Sequence, residues 1–211
     1  MTLLRAKKRK KVDNASNQPK GLKMKIMYSL AGLLLGFSSL FGASYNVDVS
    51  HTNVAFKVKH MMVSTVGGEF EEFSGTFELD DKSGLLTKLQ GEIEVDSINT
   101  NIEDRDAHLK SSEILDAEKY PKITFVLEKT KGDKAYGKLT IKDVTKDVVL
   151  DYEFGGTIVD PMGKKRAGFT LTGSIDRRDY NVKWNRILEA GGVAVSEKVK
   201  LEISVEGIAT K

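Results

Sequence analysis

Past residue 44 the chain alternates apolar and polar side chains with a period of two, the signature of strands buried on one face. In VAFKVKH, Val54, Phe56, Val58 and His60 share one face, with Ala55, Lys57 and Lys59 on the other. GTFELD sets Phe77 and Leu79 against Thr76, Glu78 and Asp80. LQGEIEVDS sets Leu89, Gly91, Ile93 and Val95 against Gln90, Glu92, Glu94 and Asp96. KITFVLEK groups Ile123, Phe125 and Leu127, and YGKLTIKDV groups Leu139 and Ile141. VVLDYEF groups Val148, Leu150, Tyr152 and Phe154. AGFTLTGSID groups Ala167, Phe169, Leu171, Gly173 and Ile175, and EKVKLEISVEG groups Val199, Leu201, Ile203 and Val205. These segments predict about eight antiparallel strands, each wet on one side. Turn chemistry at DDKSG, KGDK and DPMGKK makes most sequence neighbours hairpins. An all-β, eight-stranded up-and-down barrel removes the edge strands such a sheet would expose. A two-sheet sandwich satisfies the same alternation and stays open at this point.

One stretch breaks the period. NTNIEDRDAHLKSSEILDAEKYP has cap-forming Asn and Thr, early acids and a later Lys110, and it stops at Pro121. It predicts a short helical crossover near residues 101–119, with Ile102 and Leu109 facing inward.

Charge changes the picture at the N-terminus. The chain of 211 residues has a formal charge of +3. Nine of its 33 Lys and Arg, and one of its 30 acids, lie in residues 1–43. The remaining 24 bases and 29 acids give residues 44–211 a net charge of −5. A mildly acidic domain argues against nucleic acid or an anionic membrane surface as a partner. Residues 24–43, MKIMYSLAGLLLGFSSLFGA, read as a secretory signal. Lys25 opens it, Ile26–Phe41 is uncharged and mostly apolar, and Gly42-Ala43 offers small residues for cleavage. The apolar run is short for a span of ~30 Å of hydrocarbon. Residues 1–23 read as a disordered or mis-called extension, and residues 44–211 as one domain with a sizeable core. With no cysteine the fold does not rely on disulfides, although the compartment implied by a secretory signal would allow them.

Candidate chemistry is sparse. His108 could act as a base oriented by Asp106 or Glu113. Residues two apart on a helix do not face each other, however, so Asp106 and His108 cannot pair directly. The architectural reading is preferred: Arg105 and Asp106 tie the helix to its loops, and His108 and Leu109 cover one end of the core. His51, His60 and His108 are the only histidines. They lack the close spacing of a zinc site, so no metal is expected. The cluster SIDRRDYNVKW places Arg177, Arg178 and Asp179 beside Tyr180 and Trp184. It is either a solvated loop or a mouth of aromatics and arginine suited to an amphiphile with a polar head.

Four blocks, taken in order, resemble the YceI-like family: YNVDVSHTNVAFKVKHMMVSTVGGEFEEFSGTFELD, SINTNIEDRDAHLKSSEILDAEKYPKITF, GKLTIKDVTKDVVL and SIDRRDYNVKW. The family's opening Asp-x-x-His-Ser corresponds to Asp48, His51 and Thr52, with Thr in place of Ser. Its Arg-Asp block corresponds to Arg105, Asp106, His108 and Leu109, and its late element to Arg177, Asp179 and Tyr180. Asn181-Val182 stands where Gly-Leu is usual. The resemblance implies a lipocalin-like barrel secreted to the periplasm. It implies a bound long-chain isoprenoid or similar amphiphile, no other cofactor and no enzymatic activity.

Strands of about ten residues tilted by about 40° make a barrel roughly 25 Å tall, along which an alkyl chain can lie. At ~0.8 kcal/mol per methylene, about twenty carbons give a gross term near 16 kcal/mol before ordering costs. The expected ligand-binding residues are Phe56, Val58, His60, Ile93, Phe125, Leu139, Tyr152, Phe154, Phe169 and Trp184. The expected partner is a lipid, with no stable membrane span after cleavage. A homodimer is plausible on base rates alone. The alternative functions are a lipid-acting enzyme using His108 or His60, and a protein-binding barrel with no ligand.

Overall fold

The computed structural model describes residues 42–80, 82–188 and 191–210. The expected extension (1–23) and all but the last two residues of the expected signal (24–43) lie outside the described residues. Ala43 already belongs to a strand, opposite Leu79.

The first path around the barrel is split. β1 (Ala43–Val47) and β2 (Asn53–His60) are separated by a 3-10 turn at Val49–His51. The return path is β3 (Ser64–Phe70) and β4 (Phe73–Leu79). Next come β5 (Leu86–Glu94), the two-residue β6 (Ile98–Asn99), the helix α1 (Glu103–Lys110), β7 (Lys122–Lys131), β8 (Lys134–Ile141), β9 (Val144–Val159), β10 (Lys165–Asp176) and β11 (Val195–Ala209). Hydrogen bonding runs β1-β4-β5-β7-β8-β9-β10-β11 and returns from β11 to β1, a closed ring of eight antiparallel strands. β11 is long enough to serve both halves of the first path: Val195–Ser204 pair with β2 and Gly207–Ala209 with β1. β2, β3 and β6 extend the wall beyond the ring. The fold is therefore the closed barrel, and the sandwich does not apply. Lys–acid pairs such as Lys57–Glu202 and Lys138–Asp147 cross between strands on the solvent face.

The kink between β1 and β2 is held by charge. The Asp48 carboxylate accepts from the Ser50 amide and pairs with His51 Nδ1 at 2.9 Å. Arg166 on β10 donates to Asp48 at 2.7 Å, to Glu206 at 2.7 Å and to Asp160 at 2.8 Å. Thr52 Oγ1 donates to the Glu206 carbonyl and accepts from its amide. The Arg166 guanidinium, helped by His51, holds the Asp48 carboxyl at about 2. Among the described residues Asp48, His51 and Glu206 come close enough to ligate a cation, and Arg166 supplies the positive charge at that spot.

One end of the barrel is solid. Tyr45 stacks on Phe77 with centroids 4.9 Å apart, Phe77 meets Phe169 edge-on at 5.0 Å, and Tyr152 leans on Phe169 at 5.8 Å. All four are buried, together with Leu79, Leu86 and Ala167. The Tyr152 hydroxyl donates to the Gly84 carbonyl at 2.6 Å, tying β9 to the β4–β5 turn. Gly84 sits at φ +68, and an added Cβ would lie 2.5 Å from the Phe154 ring, so this turn requires glycine on both counts.

The helix is shorter than its sequence pattern predicts. It ends at Lys110, and the chain to Tyr120 continues as turns, with Asp116 at φ +56. The expected Asn/Thr cap is absent too. Ile102 occupies the cap position with no side-chain bond. Thr100 is used differently. Its amide and hydroxyl both donate to the Asp106 carboxylate (2.9 and 2.5 Å), and Arg105 donates to its hydroxyl and carbonyl (2.7 and 2.6 Å). Arg105 and Asp106 thus anchor the helix to buried Thr100 by hydrogen bonds, where ion pairs to the loops were expected.

Two outcomes follow from these contacts. Phe77→Ala removes the ring shared by Tyr45 and Phe169, and urea denaturation is expected to show a loss of about 3–5 kcal/mol. Arg166→Met is expected to lower stability at pH 7 and much less at pH 2. The Asp48 carboxyl ionises at about 2 in the folded chain against 3.8 ordinarily. Its contribution is therefore present above about pH 4 and is lost as pH falls through 2. Melting curves of the two proteins that stayed equally far apart at pH 7 and pH 2 would contradict this assignment.

Candidate functional site

Above the aromatic floor the barrel is not filled. A cavity of about 610 Å³ begins at Leu89, Leu150, Leu171 and Val205 and runs toward α1 and the β10–β11 loop. Its walls are the inward faces that the alternation marks out: Val54, Phe56 and Val58 from β2, Ile93 from β5, Ile123 and Phe125 from β7, Leu139 and Ile141 from β8, Leu201 and Ile203 from β11. The size falls in the range of small-molecule sites, and the lining is almost wholly aliphatic and aromatic.

Polar groups gather at the end away from the floor. α1 turns Arg105, His108 and Leu109 toward the cavity. His108 meets Trp184 edge-on at 4.9 Å, and its Nε2 lies 3.0 Å from the Glu113 carboxylate. The pairing of His108 with Glu113 is thus the one that forms. Glu113 is exposed and His108 half-buried, and among the described residues no further acid is paired with the imidazole. His60 also lines the cavity, whereas His51 lies with Asp48, so the three histidines do not come together.

The β10–β11 loop is positioned by Arg177, which continues the inward face of β10 after Leu171, Gly173 and Ile175. The side chain is buried and donates only to carbonyls: Val182 at 2.8 Å, Trp184 at 2.7 Å, Ser196 at 3.0 Å and Val195 at 3.3 Å. Burial lowers its pKa, partly offset by Asp176 and Glu197. A guanidinium remains charged in such a site, and its fixed fork suits several carbonyls at once. It therefore staples the loop bearing Trp184 to the start of β11. Arg178 points outward and pairs with Asp176 and Glu197. Arg178 holds the Asp176 carboxyl at about 2. Asn181 takes the left-handed conformation (φ +60) that the usual glycine would supply, a conformation Asn tolerates, and Val182 is buried behind it. The Tyr180 hydroxyl is buried without a hydrogen-bond partner among the described residues, and burial pushes it up to about 12.

Seven of the ten expected ligand-binding positions line the cavity: Phe56, Val58, His60, Ile93, Phe125, Leu139 and Trp184. Tyr152, Phe154 and Phe169 do not. Tyr152 and Phe169 belong to the floor. Phe154 lies beyond it, 40 % exposed, with its ring against the β4–β5 turn at Gly84. All three lie on the inward face, but alternation fixes the face and not the height along the axis. Thr100 was not singled out by the sequence as part of the rim, whereas Arg105 and Arg177 belong to the helix and the candidate mouth that it pointed to, without being among the expected ligand-binding positions. The continued period through Ile175 was the available signal for Arg177.

The comparisons agree with this geometry. Residues 45–207 match the YceI-like domain. A UPF0312 protein of Staphylococcus aureus is 38% identical over 164 residues, 77% of this chain and 96% of the relative. The crystal structure of the Campylobacter jejuni YCEI protein superposes with a TM-score of 0.64 at 34% identity, covering 72% of this chain and 90% of that one. A polyisoprenoid binding domain from Saccharophagus degradans shares the fold at 14% identity, with a TM-score of 0.58 over 80% of this chain and 99% of that one. By fold, by the matched residues and by the extent of these relatives, the chain belongs to the YceI-like family.

Proposed function

We propose that this protein is a carrier that holds a long-chain amphiphile, a polyisoprenoid or similar lipid, inside the barrel, and that it works in the periplasm after export on residues 24–43. The observation that carries the reading is the cavity. An apolar space of about 610 Å³ is far larger than the voids that close-packed interiors leave, and each unfilled part of it forfeits contacts that a core would make. Water is a poor filler, because an internal water needs two to four polar partners and this lining offers few. An alkyl or isoprenoid chain fills the space and needs no partners. The name of the Saccharophagus degradans domain, which shares the fold, points the same way. The polar end then receives the head group, with Arg105, His108, Tyr180 and Trp184 nearest to it. No helix of the described residues is long and apolar enough to cross a membrane.

Native mass spectrometry of the protein, expressed with its export segment and never exposed to detergent, is expected to show a discrete added mass that organic extraction releases. A clean apo mass, together with unchanged Trp184 emission on titration with isoprenoids, would overturn the reading. Val58→Trp places an indole in the cavity and is expected to reduce the retained mass at least tenfold, with the melting temperature unchanged or raised. His108→Ala should leave the added mass in place. Lipid turnover that disappears in this variant would favour a lipid-acting enzyme instead.

A further inference from the structure

Where β2 turns into β3, the Val63 amide closes a tight turn onto the His60 carbonyl at 3.1 Å. The two central residues, Met61 and Met62, sit at φ 48 and 63. A type I′ turn requires a left-handed pair of this kind, and Asn-Gly fills it best. Unbranched bulky residues there hold the backbone in a conformation that costs them more than it costs Asn or Gly. Such an outlier invites a functional reason. The tip it produces is apolar and exposed: Met61 by 46 %, Met62 by 68 % and Val63 by 85 %.

A second loop packs against this tip. The Met61 amide donates to the Ala194 carbonyl at 2.8 Å. Gly192, at φ +94, is so close to Met62 that an added Cβ would lie 2.5 Å from its sulfur. Gly192 and Val193 form a small hairpin with Leu188 and Ile187, and Ile187 is 85 % exposed. The two loops make one knob with four exposed apolar side chains. The flanking charge is basic: Lys59 near the first tip with no acid between residues 58 and 68, and Lys183 and Arg186 against Glu189 in the second loop. Residues 44–211 as a whole are acidic. The knob also continues the cavity wall, since His60 and Val195 form the rung beneath it and both line the cavity, as does Trp184.

We propose that this knob inserts into the interface of an anionic bilayer and brings the rim of the cavity against the lipid, so that the chain enters or leaves without crossing water. Apolar side chains ringed by Lys and Arg are the elements that bind such a surface. The proposal rests on the reading that the cavity holds a lipid.

The chain has no cysteine, so Val63→Cys can be labelled at one position with an environment-sensitive nitrobenzoxadiazole dye. With phosphatidylglycerol-containing vesicles, the label at residue 63 is expected to shift to the blue and to lose most of its quenching by iodide. The same dye on Lys131→Cys, in the β7–β8 turn near the floor, should not change. This readout is local and is not affected by adhesion of the N-terminal apolar segment. In the same labelled background, Met61→Asn/Met62→Gly is expected to fold at least as stably and to need several-fold more vesicle for the same shift. A residue-63 label that stays fully quenched, or a turn variant that inserts as readily as the original, would overturn the proposal. Equal insertion into phosphatidylcholine vesicles would overturn its anionic component. Insertion by a protein that never shows a bound lipid mass would leave the knob standing and sink the carrier reading. A bound mass with no insertion would do the reverse.

Discussion

The stack of Tyr45, Phe77, Phe169 and Tyr152 is the contact on which the rest of the barrel depends. An eight-stranded ring encloses a space that side chains can nearly fill. Filling it throughout would give a stable protein with no room for a ligand. Here the large rings are concentrated at one end, where Tyr45 and Phe77 are almost inaccessible. At the other end aliphatic side chains and rings such as Phe56 and Phe125 line the wall and leave the axis open. The solid end provides the stabilisation that allows the open end to exist.

The open end needs a different kind of stiffness, because few side chains meet across it. It comes from polar groups turned on the backbone. Arg177 gathers four carbonyls from the loop and from β11, and Arg105 with Asp106 clasps Thr100. At the β1–β2 kink Arg166 gathers three carboxylates. Each arginine fixes a place where the strand pattern is interrupted. The charged stretch RDAHLKSSEILDAEKYP is therefore architecture in part: its Arg and Asp hold the cover in place, while His108 and Leu109 face what lies inside.

The sequence made much of this legible, for a physical reason. Period two reports which face of a strand is buried, so the strands and their inward residues could be read from residues such as Val54, Phe56 and Leu201, while ring closure, which a sandwich would mimic, could not be read from alternation. The position of a residue along the barrel axis depends on strand tilt and register, which pair residues more than a hundred positions apart, as with Tyr45 and Ala209. Tyr152, Phe154 and Phe169 therefore look like cavity residues in sequence, whereas in space Tyr152 and Phe169 form the floor and Phe154 lies beyond it. The helix failed for a local reason. The capping residues were present, but Thr100 bonded to Asp106 and Arg105, and the turns after Lys110 took over the span read as helix.

Function follows from the asymmetry between the two ends. A ligand inside a barrel with a solid floor can enter only at the other end or through the wall beside it. That end holds the His108–Trp184 contact, the Arg177 staple and the exposed Met61–Val63 tip. A chain bound by apolar contact alone has no directional bonds to break, so its release is governed by how much of it meets water on the way out. At ~0.8 kcal/mol for each methylene exposed, even a few carbons in water slow transfer by orders of magnitude. A rim that can lie against a bilayer removes that barrier, and a rim that stays in water preserves it. Under the proposed reading the same cavity would be a store in solution and a carrier at a membrane, with the difference residing in the rim and not in the ligand contacts.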